Sequence, residues 1–254
     1  MNNNDAHLPT IDPVYLRGAF FKTSTGGGDA LYKVEQTKEL LFRNNDKLLL
    51  VTQKVADIGC GTGKTTFLLQ EMLTLLFSCT VKADGFDVHP FIEEIQETDN
   101  VHFFGADYCQ VDHETMYDFA FLFDVIEHVP GPIDFLREIA KSSYVLVLHI
   151  PLDDTILSWT RNLQRDKLSH PGHLIVLDPA SAINLLTLSG LRIIDYSFSP
   201  VFRAASGRQT FFQRFMNPLR EILFRISPYL AQKILGGVSL TVLAWTPNGL
   251  QKQG

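Results

Sequence analysis

The sequence predicts an α/β fold built on a doubly wound, seven-stranded, mostly parallel sheet. Strand-like and helix-like segments alternate along the chain, which is typical of parallel strands joined by right-handed crossovers. Residues 119–123 are continuously apolar, as strands are when helices cover both faces of their sheet. A glycine-rich turn separates the first predicted strand from the helix after it. This is the arrangement of α/β proteins that bind nucleotides at the ends of their strands.

Seven segments have the apolar, turn-bounded composition of strands, and they lie at 54–58, 80–86, 101–104, 119–123, 144–150, 191–198 and 238–245. Apolar periodicity with proline or glycine at the ends predicts helices at 29–42, 62–77, 91–96, 132–140 and 178–188. Asp29 is expected to cap the first of these helices.

The connection between the last two strands, about 200–237, is too long for a plain hairpin loop, so we expect a helical insertion there. Pro218 and Pro228 predict that it is divided into short helices. Within it, 211–235 has apolar side chains near one helical face, with basic residues among them. A lid on a substrate cleft or a dimer contact is the favoured interpretation, and an interfacial membrane helix is the less favoured one.

Composition indicates one domain over 1–254, because 45% of the 254 residues are hydrophobic and 20% are charged. We divide it into an N-terminal cap (1–45), a core (46–150) and substrate-side elements (151–254). The net charge of −6 argues against a nucleic-acid partner, which would need a basic face.

The three cysteines, Cys60, Cys79 and Cys109, have neither disulfide-framework nor zinc-ligand spacing, so we expect no metal. No segment has the pattern of a signal peptide or the length of an apolar membrane span, and we expect a cytoplasmic protein.

The glycine turn, residues 57–63, excludes two common nucleotide motifs. A P-loop that ends at Gly63-Lys64-Thr65 would need a glycine at position 58, where the chain has isoleucine. The dinucleotide pattern GxGxxG would need a glycine at Lys64, and an acid before the first glycine suits pyrophosphate poorly. Asp57 suits a cationic ligand instead. Asp57 and the glycine spacing together also argue against a nicotinamide oxidoreductase.

Asp57-Ile58-Gly59-Cys60-Gly61-Thr62-Gly63 resembles the first motif of class I S-adenosylmethionine-dependent methyltransferases. The stretch 117–129, with Asp118 at its start and Glu127-His128-Val129 at its end, is similar to the fourth-strand region of the same superfamily. The motif pair also occurs in small-molecule methyltransferases of the ubiquinone-biosynthesis type. The resemblance covers 54–151 well and implies a Rossmann-like fold whose last strand is antiparallel and lies beside the fifth.

The resemblance implies S-adenosylmethionine as cofactor, lying across the ends of the first, second and fourth strands. Asp87 would accept hydrogen bonds from the ribose hydroxyls, with a helix N-cap as the alternative role and Asp84 as the less favoured ribose acid. Asp107 would accept from the adenine amine, or be a loop aspartate. The cofactor residues expected are Asp57, Gly59, Cys60, Gly61, Gly63, Asp87, Val88, Asp107, Phe123 and Asp124.

Transfer to a hydroxyl also needs a proton acceptor, for which histidine is the usual residue near neutral pH. His128, His173 and His149 are placed for this role after the fourth and fifth strands, although a structural role remains the alternative for each. In the N-terminal cap, Tyr15, Arg17 and Tyr32 are further candidates for contacts to cofactor or acceptor, with a surface helix as the alternative.

The expected reaction is methyl transfer to a small-molecule or glycan acceptor, at a hydroxyl oxygen, with nitrogen and carbon acceptors left open. A homodimer is left open as well. The alternative is a non-catalytic domain of the same fold that binds the cofactor or a partner without turnover.

Overall fold

The computed structural model describes residues 29–48, 52–113, 116–169, 172–204 and 211–253. Their strands form one seven-stranded sheet in the order β3-β2-β1-β4-β5-β7-β6. All neighbouring strands are parallel except β7, which is antiparallel to both β5 and β6. The doubly wound, mostly parallel sheet and the antiparallel last strand beside the fifth are therefore confirmed.

The strands follow the predicted segments closely: β1 Lys54–Ile58, β2 Lys82–Asp87, β3 Val101–Gly105, β4 Tyr117–Phe123, β5 Ser143–Pro151, β6 Arg192–Ser199 and β7 Ser239–Trp245. The α-helices of the described residues are α1 Ala30–Arg43, α2 Lys64–Phe77, α3 Pro132–Ala140, α4 Ile156–Thr160, α5 Leu163–Ser169, α6 Pro179–Leu188, α7 Phe211–Ile226, α8 Pro228–Leu235 and α9 Pro247–Gln253. Short 3₁₀ turns lie at Pro90–Glu94, Tyr108–Gln110, Ile126–His128 and Val201–Arg203.

Two local predictions are wrong, and a third holds only in part. The segment 91–96 is helical, but as a 3₁₀ turn over Pro90–Glu94 rather than as an α-helix. Asp29 stands at the N-cap of α1 but makes no side-chain cap hydrogen bond, because its carboxylate pairs with Lys33 instead. Pro218 lies inside one continuous helix, α7, whereas Pro228 does begin the next helix. Pro218 is exposed, so water can satisfy the carbonyl group that the missing N–H leaves without a partner.

The sheet is buried on both faces, and each face has its own apolar cluster. Along β4 the side chains alternate: Ala120 and Leu122 face the cluster covered by α3 and α6, while Phe119 and Phe121 face the cluster covered by α1 and α2. Every residue of β4 is buried. Burial on both faces explains the continuous apolar run, which a half-solvated strand would not show.

The sheet topology brings the ends of β1, β2 and β4 to one edge. In the parallel register Ile58 lies beside Phe86 and Leu122, so the segments that follow these residues leave the sheet together. The strand order reverses between β1 and β4, which is the point where open α/β sheets bind ligands. None of the described helices is both long enough and apolar enough to cross a membrane.

Candidate cofactor and active site

The turn after β1 can only be built with glycines at its key positions. Gly59, Gly61 and Gly63 have φ angles of +74°, +56° and +73°, a left-handed region that side chains with a Cβ rarely adopt. A Cβ on Gly59 would come 2.6 Å from the Val125 side chain, and one on Gly63 would come 2.6 Å from the Phe103 ring. Positions 59 and 63 therefore require glycine for both backbone angle and space, and position 61 for backbone angle.

The Asp87 carboxylate fixes this turn against the end of β2. One oxygen accepts a hydrogen bond from the Gly61 N–H at 2.8 Å, and the other accepts from the His89 N–H at 2.9 Å. The helix N-cap role considered for Asp87 belongs to His89, whose ring accepts from the Phe91 N–H. Backbone N–H groups on both sides therefore orient the Asp87 carboxylate.

A cavity of about 510 Å³ opens beside the turn, within the range of small-molecule sites. Side chains and backbone from the ends of β1, β2 and β4 form one wall, and the first turns of α3 form the other. Its described lining contains five carboxylates and neither lysine nor arginine. The lining acids are Asp87, Asp107, Asp124, Asp134 and Glu138. Lys33, Arg137 and Lys141 pair with Asp124, Asp134 and Glu138 from outside the lining. Since acids outnumber bases in the lining itself, it favours a cationic ligand over a pyrophosphate.

Asp124, directly after β4, is held in place by two partners. It has a left-handed φ of +56°, and its oxygens lie 2.6 Å from His149 Nδ1 and 2.7 Å from Lys33 Nζ. Burial alone would raise the pKa of the Asp124 carboxyl, but Lys33 and then His149 outweigh burial and hold that pKa well below its usual range. Asp124 is therefore a fixed anion at the cavity wall.

Asp57 lies within β1 and is only 2% exposed. Its carboxylate accepts a 2.7 Å hydrogen bond from the Thr66 hydroxyl at the start of α2. Burial raises the pKa of Asp57 to about 7, with Thr66 acting against the rise and the charge of Asp87 adding to it. Asp57 thus supports the turn from behind, and its ionisation is sensitive to nearby charge.

Glu127, His128 and His173 form a second polar group beside the cavity. The Leu174 N–H donates to the Glu127 carbonyl at 2.7 Å, which brings the loop after α5 against the turn after β4. His128 Nε2 and His173 Nε2 each lie 3.9 Å from Glu127 Oε1. Burial and then the charge of Asp124 raise the pKa of Glu127 well above its usual value.

The other ring nitrogen of each histidine has its own partner. His128 Nδ1 lies 3.0 Å from the Gly172 carbonyl, and His173 Nδ1 lies 2.8 Å from Asp153 Oδ2. Asp153 also pairs with Lys167. Burial opposes the Asp153 charge, but the His173 hydrogen bond and Lys167 lower its pKa.

The structure brings six of the predicted site residues to the cavity wall, and they are Gly59, Asp87, Val88, Asp107, Asp124 and His128. The other seven lie outside the wall, and they are Asp57, Cys60, Gly61, Gly63, Phe123, His149 and His173. Asp107 also caps a 3₁₀ turn by accepting from the Cys109 N–H.

Two of the further N-terminal candidates, Tyr15 and Arg17, lie outside the described residues. Tyr32 donates a hydrogen bond to the Pro200 carbonyl rather than contacting the glycine turn. Burial raises its pKa to about 12.

Three features of the site were not predicted from the sequence: the Lys33 pair with Asp124, and Phe135 and Glu138 at the cavity wall. Phe135 and Glu138 could have been predicted from their spacing. Pro132 begins α3 shortly after the 117–129 stretch, which puts the first turns of α3 at the sheet edge. No spacing signal existed for Lys33, which reaches Asp124 across a large sequence separation.

A family model described as a methyltransferase domain matches residues 32–196, which is more than half of the chain and includes the whole glycine turn and the cavity wall. The chain belongs to this methyltransferase family. A comparison with curated protein sequences gave no match.

Solved structures with the same fold support the architecture. The N-methyltransferase NodS from Bradyrhizobium japonicum WM9, in complex with S-adenosyl-L-homocysteine, has a TM-score of 0.56 at 14% identity, over 93% of this chain and 100% of NodS. Magnesium protoporphyrin IX methyltransferase from Synechocystis PCC 6803, with bound S-adenosylhomocysteine, gives 0.53 at 17% identity, over 85% and 82%. The StiE O-methyltransferase segment 961–1257 gives 0.52 at 18% identity, over 93% and 84%. These likenesses show the fold.

Proposed function

We propose that this methyltransferase moves the methyl group of S-adenosylmethionine to a hydroxyl oxygen of a small-molecule or glycan acceptor. The observation that carries the proposal is the acidic cavity at the glycine turn, with His128 at its wall. The enzyme class follows from the family. The choice of oxygen as the acceptor atom goes beyond the family. The three similar structures do not decide it, because they include both an N- and an O-methyltransferase.

The residues at the turn fit S-adenosylmethionine on three grounds. The left-handed glycines leave the backbone open to close approach by a ligand. The Asp87 carboxylate, already oriented by two backbone N–H groups, suits a ribose diol. The five carboxylates of the lining suit a molecule that carries an ammonium and a sulfonium.

In this proposal Asp87 accepts from the ribose hydroxyls, Asp107 from the adenine amine, and Asp124 faces the ammonium group. Gly59, Cys60, Gly61 and Gly63 shape the turn, and Val88 and Phe123 contribute apolar contact. Asp57 acts as a buried charge behind the turn. The bound cofactor supplies a methyl group already activated on sulfur, so the protein contributes chiefly position and orientation.

His128 and His173 are the groups that we assign to the acceptor hydroxyl. His128 lies at the cavity wall, and the His173 ring packs against it at 5.0 Å between ring centroids. His149, predicted as a third catalytic candidate, is 2% exposed and lies against Asp124. We therefore propose that His149 is a positioning residue, which holds Asp124 in its left-handed conformation.

The helical insertion, about 200–237, is the segment for which we propose contacts with the substrate cleft, a second copy of the chain or a membrane. On α7 the apolar stripe Phe215, Leu219, Ile222 and Ile226 is exposed, and no residue of α7 or α8 is among the described residues at the cavity wall. A lid or a contact between two copies stays the favoured interpretation of this stripe, and membrane contact through 211–235 the less favoured one. The net charge of −6 supports an acceptor other than a nucleic acid.

The test is product analysis with methyl-labelled S-adenosylmethionine and a panel of hydroxyl, amine and carboxyl acceptors. We expect label in a methyl ether, and we expect His128→Ala and His173→Ala to abolish turnover while S-adenosylhomocysteine affinity is retained. His102→Gln is the matched control, since this exposed histidine also lies beside a carboxylate, Glu97, but does not line the cavity. Label found only on nitrogen, or full turnover in both variants, would overturn the proposal.

A further inference from the structure

Three side chains of metal-ligand type converge on one point next to the cavity. Glu127 and His128 come from the 3₁₀ turn after β4, and His173 comes from the loop after α5. One potential ligand atom from each lies within 4.8 Å of the other two. The cysteine spacing had predicted no metal site, and cysteine takes no part in this group.

The partners of the two histidines fix which ring nitrogen carries the proton. A backbone carbonyl can only accept, so His128 Nδ1, 3.0 Å from the Gly172 carbonyl, must donate. His173 Nδ1 faces the Asp153 carboxylate at 2.8 Å and donates in the same way. In their neutral forms both rings therefore carry the lone pair on Nε2, the nitrogen that lies 3.9 Å from Glu127 Oε1.

Among the residues that the structure describes, no side chain donates a hydrogen bond to the Glu127 carboxylate, although its own backbone N–H lies close enough to lower its pKa. Glu127 is 1% exposed. A buried carboxylate without a partner is costly. At 3.9 Å from each Nε2 to Oε1, neither histidine ring makes a direct hydrogen bond to Glu127. The three potential ligand atoms thus lie around a common centre, all within 4.8 Å of one another.

We propose that Glu127, His128 and His173 bind one divalent transition-metal ion. Two imidazole nitrogens and one carboxylate suit Zn²⁺, Mn²⁺ or Fe²⁺ better than Mg²⁺ or Ca²⁺, which prefer oxygen ligands. Bond lengths of about 2.0–2.2 Å require only a modest approach of the three side chains. Gly172 and Asp153 hold the ring nitrogens that face away from the centre, as outer partners of metal-bound histidines usually do.

The position of the ion gives it a role in acceptor binding. Three protein ligands leave coordination positions open, and His128 places the ion at the cavity wall. On the proposed function, the acceptor oxygen occupies an open position, and the ion lowers the pKa of that hydroxyl. The hydroxyl proton leaves to solvent, the oxygen–carbon bond forms as the carbon–sulfur bond breaks, and S-adenosylhomocysteine and one proton are released. The histidines then act as ligands rather than as bases.

The experiment is a titration of chelator-treated, full-length protein with Co²⁺, followed by visible absorption, with Zn²⁺ as competitor. We expect one equivalent to bind, and His173→Ala and Glu127→Gln to weaken binding by at least about 10-fold. Asp153→Asn should weaken it about 10- to 100-fold without removing a ligand. His102→Gln should bind as the wild type does. S-adenosylhomocysteine affinity, measured on each protein, shows that the variants are folded.

The outcomes separate this proposal from the function on which its last step rests. Absence of stoichiometric Co²⁺ binding, or unchanged binding in folded His173→Ala and Asp153→Asn, would overturn the metal site. Hydroxyl methylation at full rate by metal-free protein would also overturn it while leaving the proposed function intact. Stoichiometric binding that the three variants weaken would support the site, even where no hydroxyl acceptor becomes labelled.

Discussion

Asp87→Asn tests the proposed ribose contact of the cofactor by replacing a single carboxylate oxygen with an NH₂ group. The carboxylate uses one oxygen for the Gly61 N–H and the other for the His89 N–H, and the proposal adds the ribose hydroxyls. Asparagine keeps one oxygen and replaces the second by an NH₂ group that can only donate. A hydrogen bond to a charged group contributes about 1.5–3 kcal/mol, so we expect the Kd for S-adenosylhomocysteine to rise roughly 10- to 150-fold.

Asp84→Asn is the matched control in the same strand. Asp84 is 5% exposed and Asp87 is 3% exposed, so the two carboxylates are equally buried. Asp84 instead accepts from the Tyr117 hydroxyl at 2.9 Å and pairs with Lys54 at 3.0 Å, away from the cavity. Calorimetric titration of both variants, with thermal melts as a check on folding, should show weak binding only for Asp87→Asn. A Kd within about twofold of wild type for that variant, or an equal loss for Asp84→Asn, would refute the reasoning.

Three further predictions concern the turn, its charge and a remote helix. Gly63→Ala should lower the free energy of unfolding by about 2–4 kcal/mol in urea titration, because alanine must adopt φ of +73° and meet Phe103. Gly131→Ala should cost less, about 1 kcal/mol at most, since φ there is negative, a Cβ has no neighbour within 4 Å and only the N-cap of α3 is affected. The Kd for S-adenosylmethionine should fall as pH rises from 5.5 to 8, because the pKa of Asp57 is about 7 and the carboxylate favours the cation. Asp57→Asn should flatten that dependence. Asp178→Ala should cost about 1 kcal/mol of stability, because its carboxylate caps α6.

Each of these predictions has an outcome that contradicts it. Equal effects of the two glycine substitutions would show that neither the left-handed backbone nor Phe103 constrains the turn. A cofactor Kd independent of pH in the wild type would remove Asp57 from the electrostatics of the site. Stability of Asp178→Ala equal to that of wild type would mean that α6 does not need its cap.

Deprotonation of Asp57 affects folding stability and cofactor binding in opposite directions: as pH rises, stability falls while affinity for the cofactor increases. Its pKa in the folded state is raised above the ordinary value of 3.8 to about 7, so the folded state holds the proton more tightly than the unfolded state. The resulting stability is fully present below pH 3.8 and is lost as pH rises through about 7. Asp57→Asn should therefore lose less stability than wild type between pH 4 and pH 8 in urea titrations.

Local pattern sufficed to predict the sheet and the turn. Five of the seven strands, β1, β2, β4, β5 and β7, are buried along most of their length, and such runs keep their apolar signature in the sequence. The edge strands β3 and β6 are buried at only one end each. The helix 132–140 was predicted to the residue because Pro132 fixes its first turn. The glycines at 59, 61 and 63 were identified from the motif that resembles class I methyltransferases, and their left-handed angles are the physical reason why those positions hold glycine.

Side-chain partners across long sequence separations could not be predicted in the same way. Lys33 reaches Asp124, and Glu127 meets His173, only because the sheet edge brings loops together. Asp29 shows the related limit of a local rule, since pairing with Lys33 displaced the expected cap. Pro218 shows that an exposed helix face tolerates proline when water can serve the freed carbonyl.

Calorimetric titration of the wild-type chain with S-adenosylmethionine, S-adenosylhomocysteine and NAD tests the central claim most directly. The acidic cavity and the left-handed glycine turn predict one binding site for each adenosyl ligand and no measurable binding of NAD, whose pyrophosphate the lining carboxylates would repel. Failure of both adenosyl ligands to bind would contradict the assignment of this turn as the cofactor site, and so would binding of NAD alone.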